Sequence, residues 1–222
     1  MSLKPLKASD QKKLNSRMER HKKKLEELHQ LPPYTYIVSE GTKTEPYYIS
    51  GLVDAINKKY YSFSSDKRII VKGIGRNTIG LLEYARTHVE ADCSEASVVW
   101  LMYDRDDFPL DNFDNTQYSA EGRQDKRRYR VAWSNECIEL WFLLHLQDLI
   151  VDVGRERYKE ILEDKIGYLK NMENIYAILC DKTDIAINRA KKLYESYENL
   201  PPSKCCPATR VYELVEVLKQ YL

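Results

Sequence analysis

Tyr34-Thr35-Tyr36-Ile37-Val38-Ser39-Glu40-Gly41-Thr42-Lys43-Thr44-Glu45-Pro46 reads as a strand, a sharp turn and the first turn of a helix. Its opening six residues are rich in β-branched and aromatic side chains and follow Pro32-Pro33, which holds the chain extended. Gly41 permits the turn, and Thr44-Glu45-Pro46 carries helix-start residues. Beyond it, Tyr48, Leu52, Val53, Ile56 and Tyr60 recur at helical spacing, which predicts a helix over Glu45–Lys59. A strand that runs through a glycine turn into a helix is the unit from which parallel α/β sheets are built.

The same alternation continues along the chain. Lys67–Ile74 reads as a second strand, and Asn77–Glu90 as a helix whose face is marked by Ile79, Leu82, Ala85, Arg86 and Val89. Ser97–Tyr103 is a continuous apolar run bounded by charge, the pattern of a central strand buried on both faces. A polar stretch over Asp107–Arg127 reads as a loop with a helix inside it, and Tyr129–Trp133 as a fourth strand. From Asn135 onward the spacing predicts helices over Glu136–Leu149, Arg155–Asp164, Met172–Leu179, Thr183–Tyr197 and Ala208–Leu222. Three parts are expected: a basic helical arm at 1–33, an α/β core at 34–150 and a helical C-terminal part at 151–222 packed on it.

Three acidic islands stand where strands are predicted to stop: Glu40 to Glu45, Asp104-Arg105-Asp106-Asp107, and Ser134-Asn135-Glu136-Cys137-Ile138-Glu139. In one parallel sheet these strand ends converge on the edge where open α/β sheets bind ligands. Carboxylates gathered there repel one another unless a cation sits between them, and Mg²⁺ takes oxygen ligands of this kind. Asp104 and Asp106, two apart on an extended segment, are predicted to face one side, as two ligands of one ion require. Glu45 is also explained as a first-turn carboxylate facing a helix dipole. Glu40, which precedes the glycine, has no such explanation. Ser134-Asn135 are expected to cap a helix starting at Glu136, which sets Glu136 and Glu139 one turn apart and facing the edge. His145 reads as a satisfied core histidine, and Trp141, Leu143, Leu144 and Leu146 as core. The turn Lys72-Gly73-Ile74-Gly75-Arg76-Asn77-Thr78 has the form of a phosphate-facing helix start, without the spacing of a phosphate-loop fingerprint. Lys43, Lys72 and Arg76 are the candidate phosphate contacts.

Composition bounds the rest. The chain has 222 residues, 43% hydrophobic and 31% charged, enough for a sizeable core. No apolar run has the length of a bilayer span and no N-terminal signal pattern is present, so no membrane partner is expected. Five scattered cysteines, with no zinc-like spacing around Cys205-Cys206, fit a reduced, cytoplasmic protein. Residues 1–30 hold nine basic and four acidic side chains, a net +5 within a chain of net +1. Asp10 is expected to cap a helix over Gln11–Gln30 whose apolar positions, Leu14, Met18, Leu25 and Leu28, are few. The arm reads first as a solvated or subunit-packing helix, and second as a contact for nucleic-acid phosphate.

The motifs resemble those of the RloB-like family over about residues 34–222. The resemblance is carried by Tyr36-Ile37-Val38-Ser39-Glu40-Gly41-Thr42-Lys43-Thr44-Glu45-Pro46-Tyr47-Tyr48, by Trp100-Leu101-Met102-Tyr103-Asp104-Arg105-Asp106, and most distinctively by Trp133-Ser134-Asn135-Glu136-Cys137-Ile138-Glu139-Leu140-Trp141-Phe142-Leu143-Leu144-His145. Pro207-Ala208-Thr209-Arg210-Val211-Tyr212-Glu213-Leu214 is similar to the family's closing helix. The resemblance implies a Toprim-like fold, the module shared by topoisomerases, primases and overcoming-lysogenization-defect nucleases. It also implies that Glu40 acts in acid–base chemistry or metal binding and that Asp104 and Asp106 hold Mg²⁺ or Mn²⁺. Glu45, Glu136 and Glu139 are then supporting residues. The implied setting is bacterial defence against phage by abortive infection. One departure stands out: Asp107-Phe108-Pro109 follows the aspartate pair where many Toprim modules have a small residue. The expected function is a Mg²⁺-dependent nuclease or other phosphodiesterase, with a catalytically weak binding module as the alternative. The expected partners are a nucleic-acid or nucleotide substrate, a protein of the same defence locus, or further copies of this chain.

Overall fold

Ile37 and its neighbours Tyr36 and Val38 turn to opposite faces of a central strand, and each face carries its own hydrophobic core. The computed structural model describes residues 8–29, 31–60, 67–75, 78–106 and 109–222. Within these, β1 (Thr35–Ser39) leads into α2 (Thr44–Tyr60), β2 (Ile69–Gly73) into α3 (Thr78–Asp92), and β3 (Val98–Asp104) into α4 (Leu110–Glu121). β4 (Arg128–Asn135) is followed by α5 (Glu139–Leu144), α6 (Arg155–Ile166), α7 (Ile175–Leu179) and α8 (Thr183–Glu195). A two-residue strand β5 (Ala208–Thr209) precedes α9 (Val211–Lys219), and α1 (Ala8–His29) opens the chain.

The five strands form one sheet in the order β2-β1-β3-β4-β5. The first four are parallel and β5 is antiparallel. All of β1, and β3 from Val99 to Asp104, are buried, because helices cover both faces of a parallel sheet. Ile37, Trp100, Met102 and Ala132 face a core shared with α2, α5, α6, α8 and α9. Tyr36, Val99, Leu101, Tyr103, Val131 and Trp133 face a second core with α3 and α4. This is a mixed α/β fold with a helical C-terminal part.

The order of strands fixes where a ligand can enter. From β1 the chain moves outward to β2 and then crosses back to β3 on the other side of β1. The sheet therefore switches direction between β1 and β3, and the crevice beyond their carboxyl ends is where open α/β sheets bind. Glu40 follows β1, and Asp104 is the last residue of β3.

Several predicted boundaries move. Ser134 and Asn135 extend β4 rather than cap a helix. They pair with Thr209 and Ala208, the Ser134 and Thr209 hydroxyls lie 2.9 Å apart, and Asn135 Nδ2 donates to the Pro202 carbonyl. The helix expected from Glu136 consequently begins at Glu139 and ends at Leu144. The expected helix over Ala208–Leu222 loses its first residues to β5. On α3 the buried face is Leu81, Ala85 and Val89, while Leu82 is partly covered and Arg86 is exposed. α1 begins at Ala8, which sets Asp10 inside its first turn rather than at its cap. Leu14 and Met18 are exposed, and none of the described side chains of α1 belongs to either core. Gln30 lies outside the described residues, as do Arg76, Asn77, Asp107 and Phe108. No described helix is long and apolar enough to cross a membrane.

Candidate functional site

The β1–α2 turn is held by backbone bonds to both neighbouring strand ends. Glu40 N–H donates to the Met102 carbonyl at 2.8 Å, and Gly75 N–H donates to the Glu40 carbonyl at 2.9 Å. Two glycines let the turn close. A Cβ on Gly73 would come within 2.6 Å of the Gly41 carbonyl, and one on Gly41 within 2.1 Å of Glu45 Oε2. The Glu45 carboxylate, buried in the first turn of α2, therefore lies directly against Gly41. It is the first-turn carboxylate of α2 that the sequence suggests, with its own backbone N–H beside it.

Asp104 and Asp106 line the same pocket, though not by strand alternation. Asp104 ends β3 and is buried, whereas Asp106 stands beyond the strand with φ 42°, in the left-handed region. The turn, not the pleat, brings it round. Asp104 Oδ2 accepts the Ile138 backbone N–H at 3.0 Å, which ties the end of β3 to the start of α5. Glu139, at the first position of α5, is buried and accepts the Tyr168 hydroxyl at 3.0 Å. Glu45, Asp104, Asp106 and Glu139 together line a pocket of about 390 Å³ at the switch point.

Burial and mutual repulsion set the electrostatics. Burial, then the charges of Glu45, Glu139 and Asp106, hold the Asp104 carboxyl well above the usual range, against the Ile138 N–H. Glu45 is pushed up to about 7, first by burial and then by Glu139 and Asp106, while its own backbone N–H and Lys170 oppose the shift. Glu40 is also raised to about 7, chiefly by burial and Asp106. The Asp104 N–H and the Thr78 hydroxyl, 3.4 Å from Glu40 Oε2, pull the other way. Glu40 is not part of the pocket lining, but its carboxylate feels the charges of two residues that are.

The remaining sequence candidates divide. Glu136 lies outside any helix and does not face the pocket. Its carboxylate accepts from Arg105 at 3.3 Å and from the Arg155 backbone N–H at 3.1 Å, so it clasps the start of α6 to the end of β3. It reaches the acidic pocket only through Arg155, whose guanidinium pairs with Asp106 at 2.8 Å. Lys43 lines the pocket, whereas Lys72 pairs with Asp92 at 3.5 Å away from it. Arg76 lies outside the described residues. His145 is buried with Nδ1 2.9 Å from the Trp141 carbonyl and Nε2 3.3 Å from the Tyr48 hydroxyl, a satisfied core group pushed down to about 4 by burial.

The C-terminal part supplies residues that strand-end reasoning does not reach. Arg155 and Lys159 on α6, and Lys170 and Asn171 in the following turn, line the pocket. Cys137 lines it as well, and burial with Glu139 and Asp104 nearby pushes its thiol up, so it stays protonated. Gly167, in the left-handed conformation at the end of α6, is the one sequence signal that the chain turns there. Nothing local shows that it turns toward the sheet edge.

Hard carboxylate oxygens in a crowded pocket are the donor chemistry of Mg²⁺ or Mn²⁺ held by one or two carboxylates with waters. Among the described residues no three His, Cys, Asp or Glu side chains gather as a ready-made ligand cage. The donor set thus fits a largely hydrated ion rather than an all-protein one.

The chain is thus a mixed α/β protein with a helical C-terminal part and an acidic pocket at the switch point of a mostly parallel sheet. The chain belongs to the RloB-like protein family, whose model matches residues 35–218. No curated protein and no solved structure gives a match.

Proposed function

We propose that this chain is a Mg²⁺- or Mn²⁺-dependent phosphodiesterase of the Toprim-like type, acting on nucleic acid or a nucleotide. The observation that carries this is the buried Asp104 carboxyl, pressed by Glu45, Glu139 and Asp106 in one pocket. Such a group is strained when ionised, and a divalent cation relieves the strain. Asp104 and Glu45, with Glu139 and Asp106 beside them, are the residues to hold the ion. When bound, it supplies a Lewis acid for a phosphoryl oxygen and lowers the pKa of water. Glu40, poised near neutrality beside the pocket, accepts the proton of the attacking water. Arg155 fixes Asp106, and Glu136 fixes Arg155 through its backbone. Membership in the RloB-like family supports a place in bacterial defence against phage, by abortive infection.

Two observations favour a second reading, a binding module without turnover. Asp106 already holds a cationic partner, Arg155, and no three-carboxylate cage is formed among the described residues. Purified protein offered single- and double-stranded DNA, structured RNA and small nucleotides separates the two. Turnover that stops with chelator, returns with Mg²⁺ or Mn²⁺ and returns poorly with Ca²⁺ supports the enzyme. Metal-dependent binding with no turnover of any substrate supports the module.

A further inference from the structure

The turn at residues 167–171 is tethered to the acidic pocket from both sides. On one side the Tyr168 hydroxyl donates to Glu139 at 3.0 Å. On the other the Thr44 hydroxyl, at the start of α2, donates to Asn171 Oδ1 at 3.0 Å. Asn171 adopts φ 66°, a left-handed conformation that asparagine tolerates better than most residues. Lys170 stands between these anchors and lines the pocket. It has no ion pair among the described residues, although its charge already draws the Glu45 carboxyl down.

Lys159 adds a second cation from α6. It lies four residues after Arg155, on the same face, and lines the same pocket. Its only ion pair among the described residues is with the exposed Glu156, at 2.8 Å. Such surface pairs are weak and exchange readily for a better anion. Lys43, from the β1–α2 turn, is a third pocket cation with no ion pair among the described residues. Arg155 is different, because it is committed to Asp106. The pocket thus has an acidic group suited to a metal and a separate set of ammonium groups suited to anions. None of the described lining residues is aromatic, so these residues offer phosphate contacts rather than a platform for stacking a base.

We infer that the α6 helix and the 167–171 turn form a phosphate-gripping wall, in which Lys159 and Lys170 hold the phosphate that flanks the reacting one, and that the ligand is a chain of linked phosphates whose bases stay outside the pocket. This rests on the phosphate-ester reading above and adds its substrate class. Lysine serves as a point charge for phosphate without demanding a fixed geometry, which suits a sequence-independent grip. Two sources carry this chemistry, a nucleic-acid strand and a nucleotide polyphosphate.

The test is binding of fluorescein-labelled dT10 and of inorganic tripolyphosphate to the full chain, in Ca²⁺ to limit turnover, with Mn²⁺ affinity measured separately by calorimetry. The Lys159→Gln/Lys170→Gln variant should bind its anionic probe at least ~10-fold more weakly, with a salt dependence shallower by roughly one to two units. Its Mn²⁺ affinity should stay the same or rise, because positive charge beside the carboxylates has been removed. Preference for dT10 identifies a strand as the source, and preference for tripolyphosphate identifies a nucleotide. Wild-type affinity and slope in the double variant overturn the inference, as does a wild-type protein that binds neither probe. Failure of the phosphodiesterase reading looks different: the lysine-dependent grip is present, yet no phosphate ester is cleaved.

Discussion

The carboxylate of Glu45 rests on the Cα of Gly41, four residues earlier, so closely that a Cβ there would sit 2.1 Å from Oε2. A single absent methyl thus decides where one wall of the acidic pocket stands. Gly41→Ala is expected to destabilise the fold by about 1–3 kcal/mol, as overpacking does, and to weaken Mn²⁺ binding. In Gly41→Ala/Glu45→Ala most of the stability should return while metal binding stays weak. Chemical denaturation of the four proteins of this cycle measures the coupling, and additive losses would show that the two residues do not act on each other.

Asp104→Asn keeps an oxygen for the Ile138 N–H while removing a charge from the centre of the cluster. Mn²⁺ affinity by calorimetry should fall at least ~10-fold, since carboxylates carry the binding of hard cations. In metal-free buffer the unfolding temperature should hold or rise. A large loss of stability without metal would instead make Asp104 a structural residue of the β3–α5 junction.

The pH dependence of the metal-free fold follows from Glu45. Its carboxyl rises from an ordinary value near 4.5 to about 7 in the folded protein, so the native state prefers the protonated form. The associated stability is fully present below pH 4.5 and is lost as pH rises through 7. Glu45→Gln removes the titration while preserving shape. The stability difference should grow in the variant's favour as pH rises from 4 through 7. The carboxyls of Asp104 and Glu40, which the Glu45 charge also pushes up, relax in the same direction in the variant. A constant difference across this range would contradict the shift.

Glu40→Gln is expected to lower turnover by roughly 10²–10⁴-fold while leaving most substrate affinity in place, as loss of a general base does. Steady-state kinetics with the best substrate, together with a thermal melt, separates this from misfolding. Cleavage that survives the substitution would point to another base or to a contaminating nuclease.

Removal of residues 1–30 tests the basic arm, whose described apolar side chains Leu14 and Met18 are exposed. If α1 meets nucleic acid, affinity should fall, and the slope against salt should flatten by about 0.9 for each duplex phosphate that the arm had neutralised. Equal affinity and slope in the shortened protein would leave the arm as a solvated or subunit-packing helix.

The α/β character, the strand ends and the place of Glu40 and Asp104 at those ends were legible in the sequence, because continuous apolar runs, glycine turns and charge at strand ends are local signals. Residues 34–46 alone specify a strand, a turn and a helix start, and Thr35–Ser39 and Thr44–Tyr60 form them. Distant pairing decided the rest. The two residues of β5, seventy-odd positions after Ser134 and Asn135, convert an expected helix cap into strand and thereby separate Glu136 from Glu139. The strand order, which depends on how the chain recrosses β1, places the crevice beyond the carboxyl ends of β1 and β3. Lys159 and Lys170 read locally as ordinary surface lysines. Only the packing of α6 on α5 and the pinning of its following turn, by Tyr168 to Glu139 and by Asn171 to Thr44, bring them to the pocket. Sequence determines what a segment prefers over a few residues, whereas a site is assembled by contacts that no local preference encodes.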